Sequence, residues 1–120
     1  MIRVIYRWTL HPEHMARFVA AWWDATELIQ TSVPGARGSV LLRSQTDPHV
    51  VIAVARWDSL EAWQAGRQPV PDAAPDPNVV AMNASTSAAT TYEIFDELLD
   101  WPWPIPGQNP LPGQDEATLA

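Results

Sequence analysis

The chain has no cysteine and no lysine among its 120 residues. The first absence excludes a disulfide framework, a thiolate zinc site, an iron–sulfur cluster and a cysteine nucleophile. The second excludes Schiff-base chemistry through a lysine amine. Positive charge is scarce altogether: 7 basic residues, all of them Arg, face 14 acidic ones, for a net charge of −7. An acidic chain without a basic run is a poor nucleic-acid ligand, because affinity there comes from neutralising phosphates. No window approaches the ~18 consecutive apolar residues of a membrane span. The N-terminus alternates from its second residue instead of pairing a charged segment with an apolar run. These absences predict a cytoplasmic protein with no nucleic-acid and no membrane partner.

What is present is apolar and aromatic. Hydrophobic residues make up 47% and charged residues 18%, and there are seven tryptophans. That balance excludes disorder for the chain as a whole, and the length suits one domain. Residues 2–9 alternate, with Ile2, Val4, Tyr6 and Trp8 on one face and Arg3, Ile5 and Arg7 on the other, as in a half-buried strand. Pro12 suits a first helical position, and Met15, Phe18, Val19, Trp22, Thr26 and Ile29 then recur at helical spacing up to Val33-Pro34-Gly35. Strands are expected over about 37–44 and 50–57, joined through Gln45-Thr-Asp-Pro-His49 as an antiparallel hairpin. Asp58 with Glu61 reads as a capping box for a short helix ending near Gly66. Four prolines in residues 67–78 exclude regular structure there, and Asn78 is a candidate cap for a weak helix over 79–84. A fourth strand is expected over 90–98. The last twenty residues carry five prolines and read as an extended arm over 101–120, following a domain over 1–100. Trp101, Trp103 and Ile105 give this arm the apolar area to dock on the sheet edge or on a partner subunit.

The order β-α-β-β-α-β predicts an α+β, ferredoxin-like domain: one four-stranded antiparallel sheet with helices on a single face. Val50, Ile52 and Val54 oppose Val51, Ala53 and Ala55 across the third strand, so the uncovered face is apolar too. A second copy of the chain is its simplest cover, which predicts a homodimer.

Several side chains are candidates for a site. Arg7, Arg43 and Arg56 lie in strands, where a guanidinium pairs with an acid, meets solvent, or clamps a phenolate or carboxylate; Arg43 is the first choice for a clamp. Tyr6, Asn83 and Tyr92 are neutral hydrogen-bonding groups within reach of a pocket. Of Trp22 and Trp23 only one can point inward, and Trp22 fits the apolar stripe. His11 and His14 lack a third ligand at useful spacing, so no metal is expected.

Together these segments resemble the antibiotic biosynthesis monooxygenase family of dimeric α+β-barrel proteins. The matching pieces are Ile5-Tyr-Arg-Trp8, Phe18-Val-Ala-Ala-Trp22, Val33-Pro-Gly35, Arg43-Ser44, Ala55-Arg-Trp-Asp-Ser59 and Glu61-Ala-Trp63, all within about residues 1–66. The resemblance implies a pocket between sheet and helices in which an aromatic polyketide phenol is oxidised by dioxygen without any cofactor. The substrate's own anion reduces oxygen, and the protein supplies shape, desolvation and hydrogen bonds. It implies Trp57 and Trp63 as pocket residues; joined with the residues singled out above, this makes Trp57 and Arg43 the catalytic candidates, with Trp63, Tyr6, Trp22, Arg56, Tyr92 and Asn83 expected to bind the substrate. Quinone-forming members carry Asn four residues before the pocket tryptophan, where this chain has Ala53. The alternatives are therefore a non-redox polyketide cyclase or isomerase, or an accessory ligand-binding dimer of the same fold.

Overall fold

The structure, a computed structural model, describes residues 1–101. Its elements are strand β1 (Ile2–Thr9), helix α1 (Met15–Ser32), strands β2 (Ala36–Arg43) and β3 (Val50–Trp57), helices α2 (Leu60–Gly66) and α3 (Pro77–Ala84), and strand β4 (Thr91–Asp96). A single 3₁₀ turn, Pro12–His14, leads into α1. The strands form one sheet in the order β2-β3-β1-β4, every neighbouring pair antiparallel. This is the ferredoxin-like α+β arrangement expected from the sequence. Among the described residues, no helix is long and apolar enough to cross a membrane. The expected docking of the arm through Trp103 and Ile105 falls outside the described residues; Trp101 itself is exposed.

Register decides which side chains face the helices. Tyr6 lies opposite Ala53 on one side and Tyr92 on the other, and Leu41 lies opposite Ala53 from β2. Successive strand residues alternate between faces. Ile2, Val4, Tyr6, Trp8, Val51, Ala53, Ala55 and Trp57 therefore share the helix-covered side. Two buried clusters lie there. Trp8, Leu10, Phe18, Trp22, Val51 and Ala53 form one, and Ile2, Val4, Ala55, Trp57 and Trp63 form the other. Tyr6 packs against both. α1 presents Phe18, Ala21, Trp22 and Ala25 to the sheet at the three- and four-residue spacing of one helix face. Trp22 is buried and its neighbour Trp23 is 63% exposed, as adjacent helical positions require.

Two caps differ from the sequence-based expectation. Ser59, not Asp58, caps α2, its Oγ accepting from the Ala62 N–H at 3.1 Å. Asp58 instead accepts two hydrogen bonds from Arg37 on β2, at 2.7 and 3.0 Å, a bidentate pair that local spacing cannot reveal. Asp76, not Asn78, caps α3: Pro77 takes the first helical position, where its missing N–H costs nothing, and Asp76 accepts from the Asn78 N–H at 2.8 Å.

The turn from α1 into β2 relies on Gly35, at φ +89°, where a Cβ would stand 2.7 Å from the Ala62 Cβ of α2. A side chain there meets both left-handed strain and a backbone-anchored neighbour. Gly35→Ala is expected to cost about 2 kcal/mol or more, read as a lower urea midpoint with an unchanged slope. An unaltered midpoint would show that the turn relaxes freely.

Candidate functional site

Between the two buried clusters the helix-covered face carries small side chains. Ala53 and Ala55 of β3, Ser39 of β2 and Ala25 of α1 leave a cavity of about 190 Å³. Trp8, Trp22 and Trp57 wall it, with Tyr6, Thr26, Ile29 and Gln30, and half-buried Met82 and exposed Val79 of α3 complete the lining. None of these lining side chains carries a formal charge. A ligand there meets indole faces and a few hydrogen-bonding groups, the lining that selects flat apolar molecules with a polar handle.

The hydrogen-bonding groups are individually held. β2 departs from regular pairing between Ala36 and Ser39, and Gly38, at φ +101°, sits in that irregularity. Its N–H donates to Gln30 Oε1 at 2.8 Å, which leaves the Gln30 amide NH₂ as a donor. Tyr6 stacks on Trp8 with ring centres 5.6 Å apart and planes 16° from parallel, and Trp8 meets Phe18 edge-on at 5.1 Å. The Tyr6 hydroxyl accepts from Trp63 Nε1–H at 3.0 Å.

The sequence candidates divide among five places. Trp57, Trp22 and Tyr6 line the cavity. Trp63 and Tyr92 stand behind Tyr6: Tyr92 tilts against both Tyr6 (6.0 Å) and Trp63 (5.6 Å), and the Arg67 guanidinium lies 4.5 Å over Trp63 and 4.9 Å over Tyr92. Arg43 is exposed and borders a neighbouring groove of about 440 Å³ between α1 and β2, which shares Trp22 and Ser39 with the cavity. Asn83 is exposed on α3, its carbonyl accepting from Thr86 Oγ1 at 2.8 Å. Arg56 lies on the other sheet face, opposite Arg3 in register, where it donates to Glu97 at 2.9 and 2.6 Å.

Sequence reasoning did not single out Trp8, Gln30, Ser39 or Met82 as lining residues. A signal for one of them was present, because Thr26, Ile29 and Gln30 continue the face of Trp22 by four, seven and eight residues. For Ser39 there was none, since the strand irregularity sets its direction.

Comparisons with known proteins agree with this fold. The profile of the antibiotic biosynthesis monooxygenase family matches residues 1–68. No curated protein matches the chain. Among solved structures, one from Caulobacter crescentus described as an antibiotic biosynthesis monooxygenase superposes with a TM-score of 0.70 at 21% identity, covering 82% of this chain and 90% of that one. SnoaB, a cofactor-independent oxygenase from Streptomyces nogalater, gives 0.67 at 19% identity, covering 85% and 97%. Rv0793 from Mycobacterium tuberculosis gives 0.60 at 17% identity, covering 82% and 96%. At these identities the likeness is one of fold.

On the opposite sheet face, the hydrogen bonds from Arg56 hold the Glu97 carboxyl below the usual carboxylate range, with the charge of Arg56 and the weaker contact from Arg3 adding to the effect. A carboxyl lowered in the folded state stabilises the fold above its unfolded pKa and loses that contribution as pH falls through the folded one. Glu97→Gln is therefore expected to lower the melting temperature near neutral pH. The gap to the unaltered protein should narrow below about pH 4.3 and in high salt. A gap independent of pH would contradict an ionic role for Glu97.

Proposed function

This chain belongs to the antibiotic biosynthesis monooxygenase family, and from that premise we propose that it is a cofactor-independent monooxygenase acting on an aromatic, polyketide-type hydroxyl compound in secondary metabolism. The observation that carries this reading is the uncharged cavity walled by three indoles and Tyr6. Such a site takes a flat aromatic ring. Transferring the ring's phenolate out of water raises its energy and makes it a better reductant, while hydrogen-bond donors keep it bound. The substrate itself supplies the electrons. For 1-naphthol the balanced reaction is 1-naphthol plus O₂ to 1,4-naphthoquinone plus water. One oxygen atom bonds to the ring carbon opposite the hydroxyl and becomes the new carbonyl. The O–O bond breaks, and the second atom leaves as water with the hydroxyl proton and the displaced ring proton.

The chain's own residues bind and orient. In this reading Trp57 and Trp22 contact the ring, Tyr6 and Gln30 address its oxygen, and Val79 and Met82 of α3 complete the lining. Ala53 places a methyl group in the cavity wall where quinone-forming relatives carry an amide. That favours, as a second reading, a non-redox cyclase or isomerase, or an accessory binding dimer. An oxygen electrode with chelator-treated protein and a panel of anthrones and naphthols separates the readings. Uptake of one O₂ per quinone formed is the expected result. A bound substrate that rearranges or stays unchanged without oxygen uptake supports the second reading.

The proposal includes a cytoplasmic homodimer. The face of the sheet turned away from the helices carries Ile5, Val40, Leu42, Ile52, Val54 and Phe95, of which Val40 (47%), Leu42 (45%) and Phe95 (43%) are well exposed. A permanent joint there buries more than about 1,200 Å² in total. Light scattering at low micromolar concentration is expected to return about twice 13.3 kDa. A monomer would remove the paired-sheet arrangement.

A further inference from the structure

On the reading of the cavity as an aromatic-substrate site, we propose that Tyr6 is the residue that recognises the substrate's oxygen, as a hydrogen-bond donor, and that Trp63 and Arg67 prepare it for that task from outside the cavity. The argument begins with what each group can do. An indole nitrogen only donates, so in the 3.0 Å contact between Trp63 Nε1 and the Tyr6 hydroxyl the phenol oxygen must accept. The Tyr6 proton is thus directed away from Trp63. Among the described residues this hydroxyl donates no hydrogen bond. Tyr6 lines the cavity and Trp63 does not, so the contact that fixes the hydroxyl comes from behind the wall.

The contact also strengthens the donor. A hydroxyl that accepts one hydrogen bond gives a more polarised O–H, because bonds in a chain reinforce one another. The Arg67 cation over the Trp63 ring, at 4.5 Å, draws electron density from the indole and makes its N–H a stronger donor in turn. The sequence of groups is Arg67, Trp63, Tyr6, substrate oxyanion. Each step moves positive character toward the cavity without placing a charged side chain in it. Tyr6 also lies opposite Ala53 across the β1–β3 ladder, so a methyl group rather than a competing polar side chain faces it.

Gln30 is the rival donor, since its Oε1 is taken by Gly38 and its amide NH₂ donates to no group among the described residues. Tyr6 is favoured because a phenol hydroxyl is the more acidic donor and carries the backing described above. Arg43 would be the stronger clamp by charge but is exposed on the neighbouring groove and does not line the cavity.

The test uses two probes of equal shape, 4-nitro-1-naphthol, read as its coloured phenolate, and 1-nitronaphthalene, which lacks the hydroxyl. Tyr6→Phe is expected to weaken phenolate binding about tenfold or more while changing 1-nitronaphthalene binding less than about twofold. The absorption band of the bound phenolate should move to longer wavelength, since a donor to the oxyanion holds charge on oxygen in the ground state. Trp63→Phe, which keeps an aromatic ring but loses the N–H, is expected to move the band in the same direction by less. A structural role for Trp63 alone would leave the band in place. If both probes weaken equally in Tyr6→Phe, or if Gln30→Leu rather than Tyr6→Phe abolishes the preference for the phenolate, the assignment of Tyr6 falls and the aromatic cavity stands. If neither probe binds the unaltered protein, both readings fall together.

Discussion

The site proposed for this protein depends on a mismatch of side-chain size on one face of one sheet. β3 presents Ala53 and Ala55 to α1, and β2 presents Ser39, while Trp8, Trp22 and Trp57 stand around them. Close packing would normally draw such walls together, because a void forfeits dispersion contacts on every atom that lines it. Here the indoles are held apart by what they pack against elsewhere. Trp8 is fixed by Phe18 and Tyr6, and Trp57 is fixed in the cluster with Ile2, Val4, Ala55 and Trp63. Each cluster is internally packed, and the space between them persists because neither can move into it without losing contacts.

The alternation of a strand then separates two kinds of chemistry by one residue. Trp57 faces the cavity, whereas Arg56 faces the opposite side and meets Glu97. Tyr6 looks into the cavity, whereas Arg7 does not line it. Charge therefore collects on the side away from the helices, with Arg3, Arg56, Glu97 and Asp100 joined in one network at the end of β4. The cavity itself stays neutral. A neutral, indole-lined space fits the aromatic anion proposed as substrate, since a buried guanidinium in direct contact would stabilise the anion and make it a poorer reductant.

Much of this was legible in the residues alone. The alternation of residues 2–9, the 3.6-residue stripe of α1 and the β-branched run of β3 are local signals, and each is set by side-chain geometry within a few residues. The burial of Trp22 and exposure of Trp23 follow from their adjacency on a helix. The small residues that open the cavity stand in plain view as Ala53 and Ala55. The caps were less legible: Asp58 has the spacing of a cap and is drawn off by Arg37, 21 residues away in the chain.

By itself, the sequence determined the order of elements, the composition of the two sheet faces and the absence of thiol and lysine chemistry, because these follow from residue types and short-range periodicity. Only the tertiary structure decided which aromatic residues meet. Trp63 touches Tyr6 across 57 residues, Arg67 lies over Tyr92, and Arg56 finds Glu97, while Arg43 is left on a neighbouring groove. Those outcomes depend on strand register and on where α2 and α3 settle against the sheet. A one-residue change in register would exchange the two faces, so the identity of a site residue is a property of the assembled sheet and not of its own segment.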